Sequence, residues 1–590
     1  MRSNPMRITT AAVRLAAIVA SMATIVALAA CGGNGGANAA NGTGAAVLEE
    51  PSAGVPSNYS GSFPKPVQGK AYNNTLARDK VKDGGTLNLA ISEIGPDWNR
   101  FTIAGNTTSM ADLWAFYMPQ LYTYSPDGGD VEPNPDYLTK VEQTSDSPET
   151  IVYTLNGKAT WNDGTPIDYT AFVSTWKAMS GADPAYSPST TDGYSNIASV
   201  ERGATDKEVK VTFKTPFYPY QTLFSSLLPP QSASADVFTN GWQKNPHSEW
   251  GAGPYKIGSL DDSQVTFVPN EKWWGNKAKL DKITFRQMED TAQANAFQNG
   301  EIDVAAAGAN LLKTVKDMSG VQLRRSYGTS VSTYTINAKN VPDVAVRKAI
   351  VQAIDRQSLA NISYAGIDWT PDALPGSALI PTFRAGYEDN MPADAVFSAD
   401  NAKKTLEAAG YTMGSDGYYA KDGQTVSVKY TTFSDAATTK AIANAIIKMG
   451  KDAGIRIEGD IRASNDFSTT LSTGDFQIVG LGYASGDPFN YVSACQVYCS
   501  TSQANLSFTG SAENDERLKA LTATKDQTEA IRSFNEAEKK AQEQYAQIPY
   551  AAPPITLAVK EGLANFGPAG FSSSSDGIPL FRTEDIGWQA

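Results

Sequence analysis

Histidine and cysteine are scarce in this sequence, and their scarcity excludes several kinds of functional site. The single histidine, His247, excludes a metal site built from several imidazoles and leaves one candidate base for Ser-His or Cys-His catalysis. Three cysteines are too few for a four-cysteine zinc site or for a scaffold held together by many disulfide bonds. We therefore expect neither a metal nor a cofactor.

Positive charge is also in short supply. The chain has 49 lysines and arginines against 62 aspartates and glutamates, which gives a net charge of −13. Without excess positive charge a protein cannot neutralise many phosphates, so the composition argues against nucleic acid as a partner. The same balance argues against attachment to an anionic membrane surface by charge alone.

What the chain does have is length and apolar content. Its 590 residues are 41% hydrophobic and 10% aromatic, which is enough for packed cores, and the length is too great for a single core. Asp343 and Asp355 stand where helix caps are expected, and Pro549 is expected to end the last helix. The apolar patterns are typical of strands at 87–90, 152–155, 209–213 and 555–559, and of helices at 168–179, 343–354 and 531–545. They indicate a mixed α/β protein of two or three large lobes, which suits an enzyme as well as a binding protein.

The first thirty residues have the layout of a secretory signal peptide. Arg2, Arg7 and Arg14 form a positive start, and residues 15–30 form an apolar run that is too short for an ordinary membrane span. The run ends in Leu-Ala-Ala followed by Cys31, which looks like the bacterial lipobox. We expect cleavage before Cys31 and lipidation of its thiol, so that acyl chains anchor the protein stably outside the cytoplasm at the cell membrane. A plain signal peptide or one uncleaved helix is the alternative.

The segment after this cysteine and the two remaining cysteines carry further expectations. Residues 31–80 should form a flexible tether, because Gly, Ala, Asn, Ser and Pro dominate much of this segment. Cys495 and Cys499 are the cysteines that remain once Cys31 carries lipid. In an oxidising environment we expect them to form a disulfide bond across a short loop, with two free thiols as the alternative.

Short blocks follow one another along the sequence in an informative order. One is a Trp-Asn-Asp-Gly-Thr-Pro run at 161–166, and the most specific is a Gly-Ala-Gly-Pro-Tyr-Lys-Ile run at 251–257. The others lie at 121–128, 134–138, 270–275, 280–286, 298–303 and 346–356. In this succession the chain resembles family 5 of the bacterial extracellular solute-binding proteins, which serve oligopeptide and dipeptide ABC importers. The resemblance runs from about residue 85 to the end.

The resemblance implies a fold and a division of the chain. The fold is α/β and two-lobed, of the periplasmic-binding-protein type II in its large form, with three subdomains, mixed sheets and a ligand cleft between the lobes. Strands that cross between the lobes would act as a hinge. The expected organisation is a signal peptide at 1–30, a tether at 31–80, the first lobe at 81–130, its extra subdomain at 131–250, its continuation at 251–330, the second lobe at 331–545 and a return to the first lobe at 546–590.

The resemblance also implies a function without catalysis. A protein of this kind is the membrane-anchored, solute-binding component of an ABC importer. It captures oligopeptides or dipeptides outside the cell and delivers them to its partners, a permease and its ATPases. An oligosaccharide or another solute in the same fold is the first alternative, because 10 tryptophans and 26 tyrosines could bind sugar faces. A serine hydrolase is a distant alternative, because Ser-x-x-Lys occurs at 62–65 and at 174–177.

Candidate ligand contacts come from both lobes. The family carries a carboxylate for the ligand's α-ammonium just after a glycine-aromatic segment of the second lobe. Here Tyr483 matches the aromatic position and Asp487 is the nearby acid, with a turn-forming, helix-capping Asp-Pro as the alternative. The other candidates are positions expected to face the cleft, with sheet packing as the alternative: Gly105, Asn106 and Thr107 in the first lobe, and Ser330, Ser332 and Tyr334 on the strand that crosses between the lobes.

Overall fold

The structure is a computed structural model, and it describes most of the chain from residue 67 onward. The described residues are 55–56, 67, 69–91, 93–95, 97–102, 105–186, 188–288, 290–315, 318–367, 369, 374–433, 437–462, 470–471, 473–484, 486–502 and 505–590. The predicted signal peptide and Cys31 lie outside them. No helix in the described part combines the length and the apolar character that crossing a membrane requires.

Four sheets of four or five strands carry the architecture. The strands of each sheet are given in hydrogen-bonded order. Sheet A contains Val55–Pro56, Val321–Tyr327, Pro554–Lys560 and Val304–Ala306, and sheet B contains Thr86–Ile91, Lys282–Gln287, Gln264–Pro269 and Tyr255–Leu260. Sheet C contains Leu138–Asp146, Glu149–Leu155, Glu208–Phe213 and Ile197–Arg202, and sheet D contains Arg456–Ile461, Ser427–Thr432, Ile478–Ala484, Ser330–Ile336 and Gln547–Ala551. Smaller ladders join Tyr122–Tyr124 to Val131–Pro133, Leu563–Ala564 to Gly587–Trp588, and Thr412–Met413 to Tyr419–Lys421 and Gln424–Thr425. Sheets B and D mix parallel with antiparallel pairs.

The helices begin where short polar side chains can cap them. Asp168, Asp343 and Asp355 each accept a hydrogen bond from a backbone N–H of the first helical turn, as the sequence predicts for the last two and as expected of N-caps. The α-helices in the described residues are Thr108–Tyr117, Tyr169–Met179, Asp290–Gln298, Ala309–Val315, Val344–Ala353, Arg356–Ser363, Ala399–Ala408, Ala437–Asp452, Ala494–Tyr498, Ala512–Ala520 and Gln527–Gln542.

Two large apolar cores correspond to two lobes. In sheet B the alternation of Leu87, Leu89 and Ile91 places their side chains in a core shared with sheet C and the helix Thr108–Tyr117. In sheet D, strand residues pack with the apolar face of Val344–Ala353 in a second core. We call sheets A, B and C with their helices the first lobe, and sheet D with its helices the second lobe.

The two lobes are joined by two neighbouring crossings. The chain leaves sheet A after Val321–Tyr327 and enters sheet D at Ser330–Ile336, and it returns from Gln547–Ala551 to Pro554–Lys560. The outgoing and returning strands pair with each other on both sides of the crossing. A Cβ added at Gly328 would lie 2.3 Å from the carbonyl oxygen of Pro553, so the two crossings run in contact. Paired crossings of this kind agree with the predicted hinge between the lobes.

Two details differ from the sequence-based expectations. Val55–Pro56 pairs with Val321–Tyr327, and Tyr72 is buried and donates its N–H to the carbonyl of Pro568, although both lie in the stretch predicted to be a flexible tether. Local composition does not show these long-range contacts. Pro549 does not end the last helix, as the sequence had suggested. That helix ends at Gln542, and Pro549 lies inside the strand Gln547–Ala551.

Candidate functional site

The lobes touch each other on two sides of the space between them. On one side the turn at Gly128 of the first lobe meets Pro488 of the second, and the rings of Phe383 and Phe571 lie 5.7 Å apart. The other side joins the predicted extra subdomain to the second lobe, where the N–H of Tyr218 donates to the carbonyl of Thr522 (2.8 Å) and Lys525 pairs with Asp146 (2.7 Å). These contacts describe lobes that are closed on each other.

Asp487 lies beside one of these contacts, because the next residue, Pro488, meets Gly128 of the first lobe. It follows the strand Ile478–Ala484, and its Oδ1 accepts a hydrogen bond from the N–H of Phe489 at 2.7 Å. The residue is partly exposed to solvent, but protein atoms surround its carboxyl closely. This burial raises the pKa of the carboxyl to about 6. The charge of Asp487 contributes to the raised pKa values of Tyr124 in the first lobe and Tyr491 in the second. Asp487 is therefore a desolvated carboxylate next to the opposite lobe.

Tyr483, the other residue of the predicted ammonium segment, is placed differently. Its ring packs between two apolar clusters of the second lobe, and its hydroxyl is buried near Thr335 and Gln547. Tyr483 faces Val331 across the ladder of sheet D. The structure therefore gives Tyr483 a packing role beside the loop that carries Asp487.

The predicted segment of the first lobe has structural duties of its own. A Cβ at Gly105 would lie 2.1 Å from the carbonyl oxygen of Asn99, so glycine is needed for the approach of two backbone segments of the same loop. The N–H of Asn106 donates to the carbonyl of Thr102 (3.0 Å). Thr107 caps the helix Thr108–Tyr117 by accepting the N–H of Met110 (3.1 Å). These contacts account for the segment without a ligand.

Two of the three predicted ligand contacts on the strand Ser330–Ile336 are also buried. Tyr334 is fully buried, and its ring stacks on Tyr550 with centroids 4.5 Å apart in the core of the second lobe. Ser332 is buried beside the Tyr550 hydroxyl, and Ser330 is partly exposed at the end of the strand next to the crossing. The structure thus supports sheet packing, the alternative reading, for Tyr334.

The short cysteine loop lies just beyond Asp487. Cys495 and Cys499 are joined by a disulfide bond with their Cα atoms 4.6 Å apart, within and after the helix Ala494–Tyr498. Cys499 is fully buried in an apolar cluster that also contains Phe489. The disulfide therefore belongs to the same packed unit as the loop that positions Asp487.

Residues that could support other chemistry are otherwise engaged. Ser174 is buried, and its Oγ donates to the carbonyl of Thr170 within its own helix (2.8 Å). The ring of His247 stacks on Trp250 at 3.5 Å. The described residues contain no cluster of three or more His, Cys, Asp or Glu side chains suited to hold a metal ion. The second Ser-x-x-Lys match, at 62–65, lies outside the described residues.

One charged group of the first lobe was missed by the sequence reasoning. Arg100 is partly exposed, burial lowers its pKa, and it makes no hydrogen bond or ion pair with another described residue. It lies within electrostatic reach of Tyr124, and so does Asp487. No motif marks Arg100 in the sequence, since its isolation depends on how distant segments pack around it.

Comparison with known proteins agrees with this architecture. Residues 132–505 match the family described as bacterial extracellular solute-binding proteins, family 5 Middle. The oligopeptide-binding protein OppA of Mycobacterium tuberculosis (strain ATCC 25618 / H37Rv) is 30% identical over 503 residues, covering 83% of this chain and 84% of that protein.

Two solved structures are similar over most of the chain. The periplasmic EDTA-binding protein EppA has a TM-score of 0.80 and 25% identity, covering 90% of this chain and 100% of that one. The oligopeptide-binding protein AppA from Bacillus subtilis, solved with a nonapeptide, has a TM-score of 0.71 and 18% identity, covering 87% and 100%. These matches confirm the predicted two-lobed α/β fold.

Proposed function

Because the chain belongs to family 5 of the bacterial extracellular solute-binding proteins, we propose that it captures oligopeptides or dipeptides for an ABC importer. It holds the solute between its lobes outside the cell and delivers it to a permease that works with ATPases. The observation that carries the proposal is the contact between Pro488 and Gly128, which brings the buried carboxylate of Asp487 next to the opposite lobe. The likeness to OppA of Mycobacterium tuberculosis supports peptides as the solute class.

The proposed role is binding rather than catalysis. An α-ammonium that leaves water for a closed cleft needs a counter-charge, because an unpaired buried charge is costly. Asp487 supplies that charge, and the paired crossings at Gly328 and Pro553 let the lobes close around the ligand. A ligand that binds the closed form better shifts the population towards it.

The proposal predicts that free-amine peptides stabilise the purified protein and close it. Saturating peptide should raise the melting temperature, because a ligand that binds only the folded state adds RT ln(1 + [L]/Kd) to its stability, roughly 2.7 kcal/mol at a hundred times Kd. Small-angle scattering should show a smaller radius of gyration with peptide than without. If no peptide of a broad library changes either quantity while a sugar library does, the solute is an oligosaccharide.

The second candidate solute is an anion or a chelate. EppA, the similar structure, is an EDTA-binding protein, and the positive charge of Arg100 would favour a ligand that carries carboxylates. Competition between EDTA and a free-amine peptide in calorimetry separates these two candidates.

We also propose that lipid on Cys31 anchors the mature protein, as the lipobox resemblance implies. Cys31→Ala should release the protein from the membrane fraction and abolish its partition into detergent, because the acyl chains provide the membrane affinity. Cys31 lies outside the described residues, and the body should keep its melting temperature and its peptide affinity. A wild-type protein that stays in the aqueous phase with an unmodified thiol would refute the anchor.

A further inference from the structure

The predicted extra subdomain of the first lobe presents a fixed edge to the second lobe. The carboxylate of Glu149 is buried and accepts hydrogen bonds from the N–H of Phe217 and from Gln143 Nε2 (3.3 Å). These bonds hold the backbone up to Tyr218, the residue after Phe217, and they do not use the N–H of Tyr218. That N–H donates instead to the carbonyl of Thr522 in the second lobe (2.8 Å). The subdomain therefore offers the second lobe a backbone donor whose position is already set.

The second lobe meets this edge with a turn that is held from within its own lobe. Thr522 follows Leu521, which is fully buried in an apolar cluster of the second lobe. Lys525 lies further along the same turn and pairs with Asp146 of the extra subdomain at 2.7 Å. The ammonium of Lys525 also lies 5.9 Å from the centroid of the Tyr218 ring. One turn thus makes both a backbone hydrogen bond and an exposed ion pair to the opposite lobe.

Two valines add an apolar part to the contact between the lobes. Val131 lies in a first-lobe strand at the start of the predicted extra subdomain, and Val492 follows the second-lobe loop that carries Asp487. Each valine is partly buried and packs against both the first-lobe core and the second-lobe cluster that contains Leu521. Opening the lobes must separate these side chains from one of the two cores, which exposes apolar surface to water and is unfavourable.

All of these contacts join protein groups to each other, so they favour the closed form with or without a ligand. We propose that they form a clasp, by which the extra subdomain raises the closed fraction before the solute arrives and must let go before the solute leaves. Its effect on binding rests on the solute-binding function proposed above, whereas its effect on closure does not. A ligand binds more tightly when the form that holds it is already populated, so the clasp should raise the affinity.

Hydrogen exchange of the Tyr218 amide in the ligand-free protein tests the clasp, because the partner of this N–H belongs to the other lobe. Lys525→Glu should speed the exchange roughly 2- to 30-fold, since it removes an exposed ion pair and adds a repulsion of similar size to Asp146. Combining Lys525→Glu with Asp146→Lys exchanges the two charges and should restore the slow exchange of the wild type. Lys448→Glu, the control, breaks an exposed ion pair with Asp452 within one second-lobe helix and should leave the Tyr218 amide unchanged.

A neighbouring amide separates opening of the lobes from local unfolding. The N–H of Phe217 donates to Glu149 within the extra subdomain, so opening the lobes does not break its bond. In Lys525→Glu the Phe217 amide should therefore keep its wild-type exchange rate. Equal acceleration at Phe217 and Tyr218, or wild-type exchange at both, would overturn the clasp. If Lys525→Glu does not fold, Lys525→Gln decides, with an expected acceleration at Tyr218 of roughly 1.4- to 5-fold.

Scattering and calorimetry with trialanine show whether the clasp acts on binding. Without ligand, Lys525→Glu should have a larger radius of gyration than the wild type, and about 0.5 M salt should enlarge the wild type in the same way, because salt screens exposed charges. The Kd for trialanine should rise in Lys525→Glu by no more than the factor seen in exchange. An unchanged radius of gyration would overturn the clasp. If trialanine binds neither protein while exchange and scattering respond as expected, the clasp stands and the proposal of peptide capture is what fails.

Discussion

Replacing Asp487 with asparagine should weaken the binding of a free-amine peptide by about 2–5 kcal/mol, the range for removing one partner of a buried, hydrogen-bonded charge pair. The change keeps the shape of the side chain and an oxygen that can still accept the N–H of Phe489, and it removes only the charge. In titration calorimetry this corresponds to a loss of roughly 30- to 5000-fold in Kd. A loss of affinity that comes from removing the charge alone would identify Asp487 as the ammonium partner.

Acetylated peptides and a second variant provide the controls. Peptides without a free amine should bind the wild type poorly and lose little more in Asp487→Asn, because they offer no charge to the carboxylate. Asp452→Asn, at an exposed aspartate near the end of a second-lobe helix, should have no effect on binding. If Asp487 only shapes its turn, the variant should lose at most about 1 kcal/mol of fold stability and bind both peptide classes as before.

Acidification should reproduce part of the same loss in the wild type. Burial raises the pKa of Asp487 to about 6, so the carboxyl of the unliganded protein is ionised at pH 7 and protonated at pH 5. The α-ammonium stays charged over this range, and each pH unit below 6 should therefore weaken binding by up to about tenfold. Tyr124 and Tyr491, the neighbouring phenols, have raised pKa values and do not titrate there. The Asn variant should lack this dependence.

The sequence predicted features that depend on residues close together in the chain. Asp343 and Asp355 cap the helices they precede, because a cap needs only its own side chain and the next turn of backbone. The strands Glu149–Leu155 and Pro554–Lys560 follow their apolar patterns for the same local reason. The overall fold was predicted from the ordered sequence blocks, because they resemble family 5. The local patterns alone fit an enzyme as well as a binding protein.

The site residues depend on distant contacts and were harder to predict. Alternation along the crossing strand predicts which residues share a face, but it does not say that the face of Tyr334 meets Tyr550 rather than the cleft. Glycine at 105 suggested close approach of a ligand backbone, whereas the backbone that approaches it is that of Asn99. No local signal shows that Arg100 lacks a hydrogen-bond partner among the described residues, because this depends on how distant segments pack around it.

A side chain at Gly128 should prevent the lobes from closing fully and so weaken ligand binding. The Cβ of Gly128→Ala would lie 2.6 Å from the Cβ of Pro488, which belongs to the opposite lobe and follows Asp487 directly. Overpacking of this kind costs about 1–3 kcal/mol. Since only the closed form contains the contact, affinity should fall roughly 5- to 150-fold. Small-angle scattering should show less compaction with saturating peptide than in the wild type.

A second glycine separates this effect from backbone strain. Gly128 has a φ of +72° and also lies against Phe571 of its own lobe, so alanine there will lower the melting temperature even without ligand. Gly164 has a φ of +94° and open space around it, and Gly164→Ala should lose stability but keep its affinity. Adding Pro488→Gly to Gly128→Ala removes the opposing Cβ, and the double variant should recover affinity beyond the sum of the single effects. Equal affinities of Gly128→Ala and Gly164→Ala would mean that ligand binding does not require the lobes to meet at this turn.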